Sequence, residues 1–282
     1  MESAQGTDDK RRVLLEMVAE GKVTPEEAAK LLKATGDTAP ARSSEALQGP
    51  VTAVKVTGAF RTVKVTGDSS VEGAVAEGPH QVRLSEGTLI FEDDITEDED
   101  GSYILFGPGR VTRRKRFDVR INDRKFQWGE GFNPAHPPVL RIRMNPALPL
   151  TLELMAGTAK VSGLNAEIKA KIAAGTGKFE GVTGPLQIGV EAGSVHVDGK
   201  LTRGESEISC TAGKVRVQLD PSSDVHVVAR STLGRISLPP KYSKDPEWSG
   251  IGGAEREATI GNGAARLNLS AVTGSVQVEV GL

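Results

Sequence analysis

The sequence predicts a mainly β protein: a parallel single-chain β-solenoid with repeats of about 18–21 residues, preceded by a small two-helix hairpin. Three observations predict it. Glycines recur at Gly157, Gly175, Gly193, Gly213 and Gly234, separated by 18, 18, 20 and 21 residues. Each is flanked by strictly alternating apolar residues, the mark of a half-buried strand. Aromatic residues make up only 4% of the 282, which suits a narrow core of aliphatic ladders. An antiparallel β-sandwich also uses short strands at regular spacing and is the alternative fold. A sandwich, however, has no reason to repeat leucine, turn glycine and valine in one phase.

Residues 1–36 read as the helical hairpin. Leu14, Leu15 and Val18 form one apolar stripe, and Gly21 suits a left-handed C-terminal cap. Thr24-Pro25-Glu26-Glu27 starts a second helix: Thr24 caps, Pro25 fits the first helical position, and Glu27 completes a capping box. Ala28, Leu31 and Leu32 form its inner face. Two such helices bury little alone, so Leu14, Leu15, Val18, Ala28, Leu31 and Leu32 are a candidate docking or self-association surface. As a DNA-reading pair they fit poorly: the second helix opens on Glu26 and Glu27 and lacks base-reading Arg, Asn or Gln there. Residues 37–50 read as a flexible linker.

From Val51 to Leu282 the pattern is that of the solenoid. Leu150-x-Leu152-x-Leu154, Ala156-Gly157-Thr158 and Ala159-x-Val161 form one unit, and four further units follow to Leu238. A last copy runs from Leu267 to Val280. One unit cannot close a core, whereas stacked units place each inward side chain over its counterpart. The expected inward set includes Leu152, Leu154, Val161, Ile168, Ile172, Leu186, Ile188, Val190, Val195, Val197, Ile208, Cys210, Val215 and Val217. Two excursions interrupt the repeat, at 92–138 and 239–257. The first combines an acidic run from Glu92 to Asp100, the basic run Arg113-Arg114-Lys115-Arg116, and aromatics that include Trp128. Arg113, Arg114, Lys115, Arg116 and Trp128 are therefore a second candidate interaction patch, for a protein or envelope polymer. The plainer reading, which the adjacent acidic run favours, is a neutralised cover over the stack.

Composition narrows the function classes. Thirty-five Lys and Arg against 37 Asp and Glu give a net charge of -2, which supplies no whole-protein attraction to nucleic acid. One cysteine precludes an internal disulfide, and the four histidines lack metal-ligand spacing. No secretory signal and no run of ~20 apolar residues is present, so the expected location is cytoplasmic, with membrane or envelope association through a partner. Gly175-Thr-Gly177-Lys178 is no phosphate loop: Phe179 stands where Ser or Thr is needed. Glu153, Glu167, Glu180, Glu191 and Asp198 read as solvated strand residues, His196 and His226 as outward ones, and Cys210 as a buried small hydrophobe. No catalytic residue, cofactor site or metal site is expected.

On the repeated units at 150–238 and the closing Val272-Thr-Gly-Ser-Val-Gln-Val-Glu-Val280, residues 51–282 resemble the bacterial putative-adhesin family of β-solenoid domains of unknown function. Residues 10–34 resemble the short helical hairpin often found at the start of such proteins: Arg-Arg-Val-Leu, then Glu-Gly-Lys-Val-Thr-Pro-Glu-Glu-Ala, then Leu-Leu. The resemblance implies a surface-adhesion label and, for some relatives, a link to envelope stress. It carries no catalytic motif. The function expected is a non-enzymatic scaffold or protein-interaction module, possible links being cell-envelope organisation or stress response, with a protein partner or homo-oligomer. The alternatives are a nucleic-acid-associated regulatory protein and a carbohydrate-binding or carbohydrate-cleaving solenoid.

Overall fold

The computed structural model describes residues 50–93, 95–97, 103–105, 118–121, 124–128, 137–243 and 253–281. The chain divides into two units, between Leu47 and Gln48. The hairpin surface of Leu14, Leu15, Val18, Ala28, Leu31 and Leu32 therefore lies outside the described residues, as do Arg113, Arg114, Lys115 and Arg116.

The described residues are mainly β and centre on a 13-stranded, mostly parallel sheet that does not close on itself. Its first strands are β1 (Ala53–Gly58), β2 (Arg61–Gly67), β3 (Ala74–Glu77), β4 (Gln81–Ser85) and β5 (Thr88–Glu92). The first excursion supplies a separate four-stranded sheet of β6 (Ile95–Glu97), β7 (Tyr103–Leu105), β8 (Asp118–Ile121) and β9 (Arg124–Trp128). Trp128 thus belongs to β9, with its backbone opposite Leu105. The main sheet resumes with β10 (Val139–Met144) and then uses long strands: β11 (Leu150–Ser162), β12 (Ile168–Val182), β13 (Leu186–Gly199), β14 (Glu205–Leu219) and β15 (Val225–Ser237). β16 (Ala254–Ile260) and β17 (Ala265–Val280) complete it, so residues 254–257 of the second expected excursion are strand.

The long strands differ from the short segments that the glycine spacing suggests. Each runs through its glycine without losing its partner: β11 and β12 stay in parallel register from Leu150↔Ile168 to Ser162↔Glu180. The glycine changes the phase of burial. In β11 Leu150, Leu152 and Leu154 point inward, and after the Ala156-Gly157 corner the inward residues are Ala159 and Val161. One extra residue at the corner flips the alternation, so both legs of the bent strand bury the same side. Every residue of the expected inward set is buried. β1 and β2 supply the two legs of one further rung, paired with the first and second legs of β11.

The corners stack tightly. A Cβ on Gly175 would overlap the Gly157 carbonyl oxygen, and Gly193 on Gly175, Gly213 on Gly193 and Gly274 on Gly213 repeat the overlap. The connections between long strands also join the stack. Leu164, Val182 and Leu201 are buried there, and Thr183 N donates to Leu164 O at 3.2 Å while Lys200 N donates to Val182 O at 3.0 Å. Where a step lengthens to 20 or 22 residues, buried serine hydroxyls accept from the backbone amides: Leu186 N donates to Ser206 Oγ and Leu201 N to Ser223 Oγ. This meets the requirement that buried amides be paired.

The order of rungs departs from the order of the sequence. β14 is followed in space by β17, and β15 lies outside β17. Gly274, not Gly234, stacks on Gly213, and Gly234 stacks on Gly274. The chain skips one place, returns as the antiparallel partner β16, and fills the gap with β17. Antiparallel strands also line the opposite end, β4 against β5 and β3 against β10.

Candidate functional site

Strand alternation sends every second residue of each leg outward, and the parallel register sets these residues in straight rows across the rungs. The two legs carry different chemistry on their outer faces.

On the first leg, one row runs Lys55, Thr151, Lys169, Gln187 and Glu207, and the next runs Thr57, Glu153, Lys171, Gly189 and Ser209. Three cations here are ion-paired, while Lys171 and Arg266 meet no carboxylate within ion-pair distance among the described residues. Lys55 Nζ lies 3.2 Å from Glu153, Lys169 Nζ 3.2 Å from Glu167, and Arg230 Nε 3.0 Å from Glu255. A groove of about 950 Å³ lies along this face, with Asp93, Glu153, Met155, Lys171, Glu191 and Thr211 in its lining.

The groove begins at an unusual corner. Arg61 occupies the place that glycine holds in later rungs, opposite Gly157, and its side chain is buried. Its guanidinium pairs with Asp93 and donates to the Pro79 carbonyl at 2.7 Å, while Nε is buried without a partner. Burial lowers its pKa to about 10. The pair fastens the end of β5 to the β1–β2 corner just before the chain departs into the first excursion. Two groove carboxylates, Asp93 and Glu153, are therefore committed to ion pairs.

On the second leg, the row between the inward residues reads Arg141, Lys64, Lys160, Lys178, His196, Arg216 and Gln277. Arg141, Lys160, Lys178 and Arg216 are exposed, and Lys64 and His196 half-buried. Among the described residues, Arg141, Lys64, Lys160 and Lys178 meet no carboxylate within ion-pair distance. Arg216 donates to Gln277 Oε1 at 3.1 Å. A second row flanks this one with hydroxyls, Thr62, Thr158, Thr176 and Ser194, and Thr176 and Ser194 lie 3.3 Å apart. The other flank reads Arg143, Thr66, Ser162, Glu180, Asp198 and Gln218.

The sequence reading missed this cationic row, although its signal is plain: the middle residue of Val63-Lys-Val65, Ala159-Lys-Val161, Gly177-Lys-Phe179, Val195-His-Val197 and Val215-Arg-Val217 is basic each time. Register is needed to see that these residues are neighbours. Lys178, rejected as a phosphate-loop lysine, is one member. His196 lies in the row too. His226 stands apart, with Nδ1 3.0 Å from the Thr259 hydroxyl. Cys210 is buried, its thiol pushed upward by desolvation, as the alternation around it implies. Of the expected outward acids, Glu153 and Glu191 line the groove while Glu180 and Asp198 flank the cationic row.

Comparison with known proteins adds two findings. Residues 9–36 match the SHOCT-like domain, the same segment whose residues predict a hairpin. The crystal structure of a putative cell adhesion protein from Clostridium sporogenes ATCC 15579 is similar over 82% of this chain and 94% of that one, at 14% sequence identity and a TM-score of 0.41. No curated protein matches. Among the described residues no helix is long and apolar enough to cross a membrane.

Proposed function

We propose that residues 51–282 form a β-solenoid of the adhesin-like kind, serving as a non-enzymatic interaction scaffold in the cytoplasm. The segment at 9–36 adds a helical docking or self-association element, and the biological setting is envelope organisation or stress. The observation that carries this reading is register. Successive bent strands stay paired through their corners, so the outer faces present side chains in fixed rows. A face held by ladders of backbone hydrogen bonds is pre-organised, and pre-organisation lowers the entropic cost of association.

Two measurements test it. The full chain and a chain lacking residues 1–48 are compared by light scattering and thermal unfolding. The expectation is that the shorter chain keeps its cooperative β transition and loses self-association or partner capture. Capture from native extract is then repeated with nuclease. Capture abolished by nuclease would transfer the reading to a nucleic-acid regulator, and turnover of a polysaccharide by the purified chain would transfer it to an enzyme.

A further inference from the structure

We propose that the outer face of the second leg is a docking track for an extended anionic polysaccharide, a chain that carries carboxylates along its length. The inference rests on the interaction-scaffold reading and names the partner class for one of its faces. The track is the row Arg141, Lys64, Lys160, Lys178, His196 and Arg216. Adjacent rungs are about 4.8 Å apart, so the row places basic groups along about 24 Å in a nearly straight line.

Three features select the partner. First, Arg141, Lys64, Lys160 and Lys178 are consecutive in one row and have no carboxylate partner among the described residues. On the first leg, by contrast, Lys55, Lys169 and Arg230 are ion-paired, and the unpaired Lys171 and Arg266 each have a glutamate beside them in the row, Glu153 and Glu205. Unpaired cations in line attract a linear polyanion. Secondly, the track is one residue wide at Lys160, Lys178 and His196. Glu180 and Asp198 stand in the flanking row beside Lys178 and His196. A broad anionic surface such as a bilayer meets those carboxylates as well as the lysines, and a thin chain does not. Thirdly, the flanks are polar without a ring. Thr158, Thr176 and Ser194 on one side, and Ser162 on the other, can exchange hydrogen bonds with sugar hydroxyls. None of these rows holds an aromatic side chain on which a base of single-stranded nucleic acid could stack.

The probe is sodium polygalacturonate, measured against the full chain by isothermal titration and by retention on an immobilised polymer across a salt series. Dextran, an oligothymidine and vesicles containing an acidic lipid are the comparison ligands. Polygalacturonate is expected to bind, with affinity falling steeply as salt rises, and to bind more tightly than all three comparison ligands. The double variant Lys160→Glu, Lys178→Glu is expected to weaken binding at least about tenfold, and Lys160→Gln, Lys178→Gln to weaken it less. Lys55→Glu, Lys169→Glu makes the same change in net charge on the first leg and should leave binding within about twofold, since remote exposed charges are screened. Circular dichroism and thermal unfolding confirm that each variant is folded. Equal loss in the two charge-reversed variants, tighter binding of the oligothymidine or the vesicles, or no binding of polygalacturonate overturns the proposal. If polygalacturonate fails while capture of a nuclease-resistant partner persists, the track is refuted and the scaffold reading stands. Failure of both refutes both.

Discussion

Replacing Gly193 by Ala tests the stacked corner directly. Gly193 has φ +140°, a conformation that L side chains rarely adopt, and holding alanine there costs about 1–3 kcal/mol. The added Cβ would stand 1.8 Å from the Gly175 carbonyl oxygen, where a non-bonded pair settles at about 3.5 Å. The neighbouring backbone must therefore retreat, and Gly175 is itself packed against Gly157 and cannot give way alone. Separation at the corner disturbs one or two backbone hydrogen bonds, each about 1 kcal/mol net. The expected total is about 2–5 kcal/mol. Gly163→Ala is the matched control. It too has positive φ, +68°, but nothing stands within 4 Å of a Cβ there, so only the left-handed cost of about 1–2 kcal/mol applies. Urea unfolding of both variants, read from midpoint and slope, gives the difference. Amide exchange in β12 and β14 should also rise in Gly193→Ala alone. A cost below about 1 kcal/mol at Gly193, or equal costs at the two sites, would refute close stacking of the corners.

Other consequences follow from charged groups that hold the ends of the stack. The Asp224 carboxylate accepts the amides of Asn262, Gly263 and Ala264, and these bonds, Ala264 foremost, hold its pKa below the usual carboxylate range. Its folded pKa lies below its unfolded one, so its stabilisation is present above the unfolded value of ~3.9 and is lost as pH falls through the folded value. Asp224→Ala should lower the melting temperature at pH 7 by an amount that shrinks toward strong acid; a pH-independent difference would contradict this. Asp93→Ala leaves the Arg61 charge buried and unpaired and should cost about 3–5 kcal/mol in urea unfolding. The double change Arg61→Met, Asp93→Leu should recover much of that loss, and a double variant as unstable as Asp93→Ala would count against a desolvated ion pair.

The inward residues were legible because burial alternates with the backbone. Leu152, Leu154, Val195 and Val197 needed only their spacing. Gly157, Gly175, Gly193 and Gly213 were legible as corners for a related reason: no side chain fits between stacked carbonyls. The order of the last rungs was not. Gly234 follows Gly213 at 21 residues, much like the earlier steps, yet Gly274 takes the next place. Spacing reports that a unit is compatible with the stack and not which slot it fills. The slot depends on the β15–β16 pairing and on the turn held by Asp224, both long-range terms. The candidate site was hidden in the same way. Each lysine in Val-Lys-Val reads alone as an ordinary solvated strand residue; only the pairing of Lys64 with Lys160, and of Lys160 with Lys178, makes a row.

That row has a cost the fold does not require. Like charges directly opposite one another on neighbouring strands are destabilising. Two unit charges about 5 Å apart in water repel by about 0.8 kcal/mol before screening. The first leg avoids this cost with the same building blocks, placing Lys55 beside Glu153 and Lys169 beside Glu167. Both are outer faces of parallel rungs, with the same alternation and the same spacing, although a groove runs along the first. The buried residues on both legs are aliphatic or small, with Ala170 and Cys210 on the first and Ala159 on the second, broken by Phe179, so packing does not impose the difference either. The asymmetry therefore lies in the outward side chains alone. A stack under selection for stability alone would mix signs on both legs, as charged surfaces of soluble domains do. A row of like charge on one leg, with hydroxyls on one flank and Glu180 and Asp198 on the other, is what the proposed docking of a linear anion calls for: repulsion in the free protein that the bound chain relieves.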